Sequence, residues 1–573
     1  MKVLFAALHL GYYRNFDSVV RALAAAGHQV HLTGDEAEGM GGQQLAERLA
    51  AEFPGRVTWD LLPSLEHEPW FDGARRARVA LDYVRVLDRQ YPQKLRLRTE
   101  ERTARLVRAA SRVPLVGPAL TRRALMRFER LMPAGDALVE YLRAQAPDLV
   151  VLTSLTYSRS QQLDVLKAAR RLNLPVAAAI MSWDHLSSKA LLHVAPDRVI
   201  VWNEVQKREA VQMHGLPADR VVLTGAQCYD QWFTRVPART REAFCAAMGL
   251  RADRPFVLWV HSALSPTPEP PEPVLVKRWI EALRASADPR LRDVGVLVRP
   301  HPERLKEWAN VSLDGFENVA FHGRNPIDRE ARDDYFDSLF HSGAVAGLVT
   351  SAFLEAAIVG RPVLTFTLPE YRLHQEEMIH FRYLMEVEGG LLHMAPDIES
   401  HLRQLSEALA LGGERDERNR RFVRAFVRPA GLDVPATPAF VEALERVVAD
   451  GARPDPSLAA WRWLRPPALA LARASRTGLG RWLMNDQRTD AWDEHAEETR
   501  KSVAARVRAR DDWQREKARR KARRYRRELV GAVGKKLRSS WRRARHRTAV
   551  TFYRGLHVAG LKRGGLPGGA GKD

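Results

Sequence analysis

The stretch Val345-Ala-Gly-Leu-Val-Thr-Ser-Ala-Phe-Leu-Glu-Ala-Ala-Ile-Val-Gly-Arg-Pro-Val-Leu-Thr-Phe366 reads as a strand, a hydroxyl-bearing turn, a short helix and a second strand. Thr350 and Ser351 fall where the helix begins, so their hydroxyls and the first-turn N–H groups would face an anion above the strand ends. Glu355 follows one turn later, within reach of a sugar hydroxyl beside such a phosphate. Gly360, Arg361 and Pro362 end the helix and restart the sheet. The unit predicts a nucleotide diphosphate site.

Working outward, the same alternation recurs on both sides. Lys2 to Leu8 is a continuous apolar strand, Asn15 to Ala26 has helical spacing, and Gly27 to Leu32 resumes a strand. Residues 70–145 read as an arginine-rich helical insertion. Strand-like runs return at Asp148–Thr153, Pro175–Met181, Arg198–Trp202 and Arg220–Thr224. After linker signals between Pro237 and Pro255 come Phe256–Val260, Gly295–Val298, Asn318–Phe321, Ala344–Val349 and Pro362–Phe366. Helical patterns run from Gln375 to Asp450, the last expected to cross back to the first half. The expected fold is α/β, with two Rossmann-like, doubly wound parallel sheets facing a cleft and a basic helical tail. The expected domains are 1–235, 250–450 and 453–573.

The pattern Thr-Ser-x-x-x-Glu-Ala-x-x-x-Gly-x-Pro-Val at 350–363 resembles the donor-binding element of GT-B glycosyltransferases. It also resembles that of their relatives, the hydrolysing UDP-sugar epimerases and the CDP-glycerol glycerophosphotransferases. The resemblance implies that Glu355 holds a nucleotide ribose. Arg299-Pro-His301-Pro is similar to the Arg-x-His-Pro motif of the glycerophosphotransferases, which implies a role for His301 near the transferred phosphate. The opening Gly11-Tyr-Tyr-Arg-Asn-Phe-Asp17, followed by Gly27-His28, resembles the start of many GT-B enzymes. In the plant-type members a catalytic histidine stands at the position of Tyr12, and His9 lies three residues before it. Thr224-Gly225 with Asp230 resembles the segment that ends the first domain in the epimerase and transferase relatives.

Ligands of open α/β sheets gather at the carboxyl ends of the strands, and the candidate residues are those that fall there. His261, Ser262, Arg299 and His301 share one rim and suit a diphosphate, because cationic donors stabilise charge on a leaving nucleotide. Ser182-Trp183-Asp184-His-Leu-Ser-Ser-Lys189 follows a first-half strand. Asp184 there is read as a general base or a helix cap, and Lys189 as a phosphate contact. Gly225 is read as a close backbone approach to the cleft or a plain turn glycine. His9, Asp17 and Asp184 are the candidates to deprotonate an acceptor, with Gly11 and Tyr12 beside them. His374 and His380, with Glu376 and Glu377, would border a donor sugar. Their spacing does not suit a zinc helix, and no Asp-x-Asp stands at a strand end, so no metal and no cofactor is expected.

Two cysteines, Cys228 and Cys245, exclude a disulfide framework. The Val3 to Leu8 run reads as a first strand rather than a signal peptide, and a cytoplasmic protein is expected. Most of the formal charge of +21 lies between Arg500 and Thr548. Tryptophans 461, 463 and 482 precede that run and Phe552-Tyr553 follow it, a combination that suits the headgroups of an anionic bilayer. Nucleic acid would attract the same charge, but no RNP, KH or zinc-finger pattern accompanies it. The expected protein is a transferase attached peripherally to the inner face of the cell membrane. It would move a glycosyl or glycerophosphoryl group from a nucleotide-sugar or CDP-glycerol-type donor to a polysaccharide or lipid-linked acceptor. A UDP-sugar 2-epimerase-like enzyme and a non-catalytic scaffold are the rival readings.

Overall fold

The computed structural model describes residues 1–480 except 37–40, 101–102, 114–115, 154, 158–159, 265–267, 269, 324–325, 327, 412–416, 454–461 and 479. The basic run and its aromatic flanks, other than Trp463, lie outside the described residues.

Among the described residues, thirteen strands form two wholly parallel sheets. The first has the order β3-β2-β1-β4-β5-β6-β7, from β1 (Lys2–His9), β2 (Gln29–Glu36), β3 (Val57–Leu61), β4 (Leu149–Leu152), β5 (Val176–Ala179), β6 (Arg198–Val201) and β7 (Val221–Leu223). The second has the order β10-β9-β8-β11-β12-β13, from β8 (Phe256–Val260), β9 (Gly295–Arg299), β10 (Val319–Phe321), β11 (Ala344–Gly347), β12 (Val363–Phe366) and β13 (Leu392–Ala395). Each reverses direction beside its first strand, the doubly wound arrangement whose strand ends open a crevice there. The two sheets are the pair of Rossmann-like layers expected of a GT-B-like fold.

The central strands are buried on both faces, which is why they are unbroken apolar runs. β3 and β13 were not legible as strands. They are edge strands in which Thr58, Trp59 and Asp60, or His393 and Met394, stay partly exposed, so the apolar signal is diluted.

The helical insertion contains Phe71–Arg85, Gln93–Glu100, Arg105–Ser111 and Gly117–Leu131, and Asp136–Gln145 then leads into β4. Buried charge ties it to the helix Gln162–Arg171 that follows β4. Arg78 donates to Asp164 at 2.6 and 2.9 Å and to Glu129 at 3.0 Å, and Lys167 donates to Glu129 at 2.5 Å. All four side chains are at most 5% exposed. Tyr91 and Leu95 of the insertion pack on Ile379 in the second half.

The chain passes between the halves twice, and both passages meet at Asp230. Its carboxylate accepts from Arg428 (2.7 Å), from the N–H groups of Ala436 (3.0 Å) and Thr437 (2.7 Å), and from the Thr437 hydroxyl (2.6 Å). It thereby caps the returning helix Ala436–Asp450, whose Phe440, Leu444 and Val447 enter the core around β1. Gly225 has φ +88°, and a Cβ there would stand 2.9 Å from the Ala436 Cβ and 3.2 Å from the Val427 oxygen. Its close approach is therefore to the returning segment.

The first compact unit runs to Asn485, beyond the boundary read at 453. The helix Arg465–Ala474 sends Ala468 and Ala472 into the first-half core, and Arg476 pairs with Asp72 at 2.8 Å. A Cβ on Gly73 would lie 2.8 Å from Ala472, so the two helices touch backbone to backbone. A truncation at 453 would strip away this packing. Among the described residues no helix is long and apolar enough to cross a membrane.

Candidate functional site

Side chains that follow β5, β6 and β7 meet those that follow β11, β12 and β13. Trp183, Trp202 and Tyr229 of the first half share an apolar core with Phe353, Phe381 and Phe426 of the second. The Trp183 ring stands edge-on to His380 at 5.0 Å, and the Tyr383 hydroxyl donates to Glu209 at 2.8 Å.

In the second half, Glu355 lies in the short helix Ala352–Ile358, its carboxyl enclosed beneath Tyr335, whose phenol donates to it. Burial pushes this carboxyl up to about 7, against the opposing pull of Tyr335 and of Arg14 from the first half. Arg14 is exposed, two residues past Tyr12, and makes no ion pair among the described residues. It was not among the expected site residues, although the strand-end logic that selected His9 applies equally to it.

Arg299 is 4% exposed. It is held by Asp334 at 2.9 Å and lies 5.2 Å from the centre of the Tyr335 ring. Asp334 also accepts from Arg239 at 2.8 Å, so Arg299 belongs to a buried network that backs Tyr335 and, through it, Glu355. His261 is 1% exposed, and burial, followed by the charges of His301 and Arg304, pulls it down to about 3, so it is neutral. Ser262 is fixed from two sides. Its N–H donates to Glu272 at 3.0 Å, and its hydroxyl accepts from the Val349 N–H at 2.9 Å, joining the end of β8 to that of β11. Glu272 also accepts from the Trp259 indole at 3.0 Å, and burial raises it to about 8. Thr350 accepts from the Ala352 N–H at 3.3 Å, while Ser351 is exposed and its side chain caps nothing.

In the first half, His9 ends β1 with its ring 4.0 Å from that of Tyr12. Tyr12 bonds to Tyr157, which lies 5.9 Å from the Lys189 ammonium and edge-on to His185 at 5.6 Å. Asp184 accepts from Ser182 (2.6 Å) and Ser188 (3.0 Å) and stands 3.7 Å from Lys189. Burial would raise it, but Lys189, His185, His380 and the Ser182 hydroxyl outweigh burial and hold it well below the usual carboxylate range. Asp184 is therefore a fixed anion and a weak base. Asp17 is bonded to Arg21 at 2.9 Å. Gly11 is buried in the turn after β1, against Gly42. Among the described residues no group of three or more His, Cys, Asp or Glu side chains is placed to hold a metal ion.

A separate cavity of about 350 Å³ opens at the amino end of the second sheet, lined by Arg241, Arg254, His341 and Arg361. Arg241 and Arg361 are spent there on the carbonyls of His341, Arg254 and Phe340, so the cavity belongs to the wall of the fold.

The buried titratable groups predict a stability optimum. Asp35, Glu209 and Glu355 (each raised to about 7) and Glu272 (about 8) hold protons in the folded chain that they release when unfolded. Their contribution is complete below about pH 4 and is lost as pH rises through 7 to 8. His185 (lowered to about 4) and His193, His261 and His401 (each to about 3) act in the opposite sense. Their contribution is complete above about 6.5 and is lost as pH falls toward those values. Thermal denaturation should show maximum stability between about pH 5 and 6.5 and a decline by pH 8.5, although raising pH relieves the repulsion of a +21 chain. A melting temperature that climbs from pH 6 to 8.5 would contradict these assignments.

No protein-family model matches the chain, and no curated protein matches it. Among solved structures, the UDP-GlcNAc 2-epimerase from Methanocaldococcus jannaschii is 13% identical with a TM-score of 0.46, over 78% of this chain and 100% of that one. A glycosyltransferase from Rickettsia africae ESF-5 is 11% identical with a TM-score of 0.47, over 78% and 99%. The UDP-GlcNAc 2-epimerase from Neisseria meningitidis bound to UDP-GlcNAc is 13% identical with a TM-score of 0.45, over 78% and 100%. These are distant likenesses, and the assignment of the fold rests on the strand order given above.

Proposed function

We propose that this chain is a GT-B-type enzyme that uses a nucleotide-activated donor and transfers a glycosyl or glycerophosphoryl group to a polysaccharide or lipid-linked acceptor. The observation that carries the reading is the enclosure of Glu355 under Tyr335, one turn into the helix that follows a parallel strand, where it feels the positive charge of Arg14 from the opposite half. In this reading the ionised Glu355 accepts ribose hydroxyls, Thr350, Ser351 and His301 face the phosphates, and Arg14 adds positive charge from across the cleft. Arg299 positions the Glu355 wall through Asp334 and Tyr335. On the first half, His9 takes the acceptor proton, and the anionic Asp184, with Trp183 and Lys189, orients the acceptor. The arginine-rich tail adds attachment to an anionic membrane.

Isothermal titration with UDP, CDP, GDP and CMP sugars tests the core of this reading. One nucleotide class should bind, and no heat with any of them would remove the donor site. Conversion of a UDP-sugar to its epimer without an acceptor would move the protein to the epimerase reading.

Glu355 gives that titration a pH signature. Its carboxyl titrates at about 7, and only the carboxylate can accept both ribose hydroxyls. Nucleoside diphosphate affinity should rise between pH 6 and 8, and Glu355→Gln should flatten the profile and weaken binding at pH 8 by about tenfold to a hundredfold. An identical pH profile in the variant would place the ribose elsewhere.

A further inference from the structure

The helical insertion carries a second feature that the cleft does not use. Its helices Arg105–Ser111 and Gly117–Leu131 form a hairpin, closed so tightly that a Cβ on Gly117 would lie 2.5 Å from the Ala110 oxygen. Leu106 (57% exposed), Val113 (50%), Val116 (51%) and Leu120 (58%) project from it into solvent. The helix Arg465–Ala474 packs beside the second of these helices, and Trp463 (72%) and Leu471 (58%) stand exposed on this neighbouring segment. These six are half of the exposed large apolar side chains among the described residues, and all lie on or beside the helices Arg105–Ser111, Gly117–Leu131 and Arg465–Ala474, which pack in contact. From Thr103 to Phe128 every charged residue is an arginine, and Arg105, Arg112, Arg122 and Arg123 are exposed around the apolar tip. Arg112 is tied to Glu100 at 2.9 Å, which leaves the local charge positive.

We infer that this hairpin is a docking surface for an anionic lipid bilayer, with the apolar tip entering the acyl boundary and the arginines meeting the headgroups. The chemistry selects this occupant. The projecting side chains are aliphatic except Trp463, and one ring does not make the succession of stacking platforms that a single-stranded nucleic acid uses. A second copy would set arginine against arginine. The inference holds whatever nucleotide the cleft takes, and it rests on residues other than the basic run at 500–548.

The test uses the full chain carrying Val116→Cys labelled with an environment-sensitive dye, and vesicles of phosphatidylglycerol and phosphatidylcholine. Cys245 is buried, and burial pushes the Cys228 thiol above its ordinary range, so the new cysteine is labelled selectively. Anionic vesicles should shift the dye emission to the blue and allow quenching by acyl-chain quenchers. A dye at Val236→Cys, an exposed position outside the hairpin, should stay aqueous. Val113→Asp with Leu120→Asp should lower vesicle affinity by at least about tenfold with an unchanged melting temperature. An aqueous dye at 116 while the chain still sediments with vesicles would overturn the inference, as would no vesicle binding at all. The same blue shift produced by RNA, or by raising protein concentration without lipid, would overturn it in favour of those partners.

Discussion

His9→Gln lowers turnover by about a hundredfold to ten-thousandfold while nucleotide affinity changes less than about threefold, the range expected for loss of a general base. Three first-half residues could take an acceptor proton, and their surroundings rank them. Asp17 is bonded to Arg21, and Asp184 is held ionised by Lys189 and two serine hydroxyls, which leaves it little basicity. His9 ends an inner strand of its sheet with its ring against that of Tyr12, and imidazole is the side chain whose ordinary range suits proton transfer near neutral pH. Asp184→Asn should then cost less than His9→Gln, with its effect on the KM for acceptor larger than on kcat. The measurement is release of nucleotide from the donor identified by titration, with acceptor present. Unchanged kcat in His9→Gln, or an equal loss of donor affinity, would remove the histidine from this role.

Arg78→Met destabilises the chain by about 3–5 kcal/mol, the cost typical of removing one partner from a buried ion pair. Asp164 is fully buried and depends on this guanidinium through two bonds, and Glu129 is left with Lys167 alone. Burial would lower Arg78, yet Asp164 and Glu129 raise it above its ordinary range, so the positive charge is secure in the folded chain. The urea midpoint should fall, and adding Asp164→Asn should recover part of the loss because it removes the stranded anion. A cost below about 1 kcal/mol would mean that apolar packing alone seats the insertion.

Inner parallel strands such as β1, β8 and β9 announce themselves because both faces are buried, so every position except at the strand ends is apolar. The crevice at the strand ends follows from topology, and that is how Glu355, His261 and Asp184 could be singled out. What each of them bonds to could not be read. Tyr335 reaches Glu355 from a different helix, Asp334 claims Arg299 from 35 residues away, and Glu272 pins Ser262 from beneath. An arginine at a strand end looks the same in sequence whether it awaits a phosphate or already holds an aspartate. Gly225 was ambiguous for a related reason, since a left-handed glycine reports a close neighbour without saying which one. The boundary near 453 was drawn on composition, and the alanine-lined helix Arg465–Ala474 has too few large apolar residues to signal that it packs.

The convergence on Asp230 bears on how such a molecule moves. Two polypeptide connections join the halves, and any opening of the cleft must bend both. Because one carboxylate grips the end of the outgoing connection, Arg428 and the first turn of the returning helix, the two bends share a pivot. A door hung on two hinges with one pin can swing in only one plane, and Gly225, pressed against Val427 and Ala436, lies at that pin. The pivot is thereby held by a residue that need touch neither donor nor acceptor, next to Tyr229, which feels the charges of both Glu355 and Asp184.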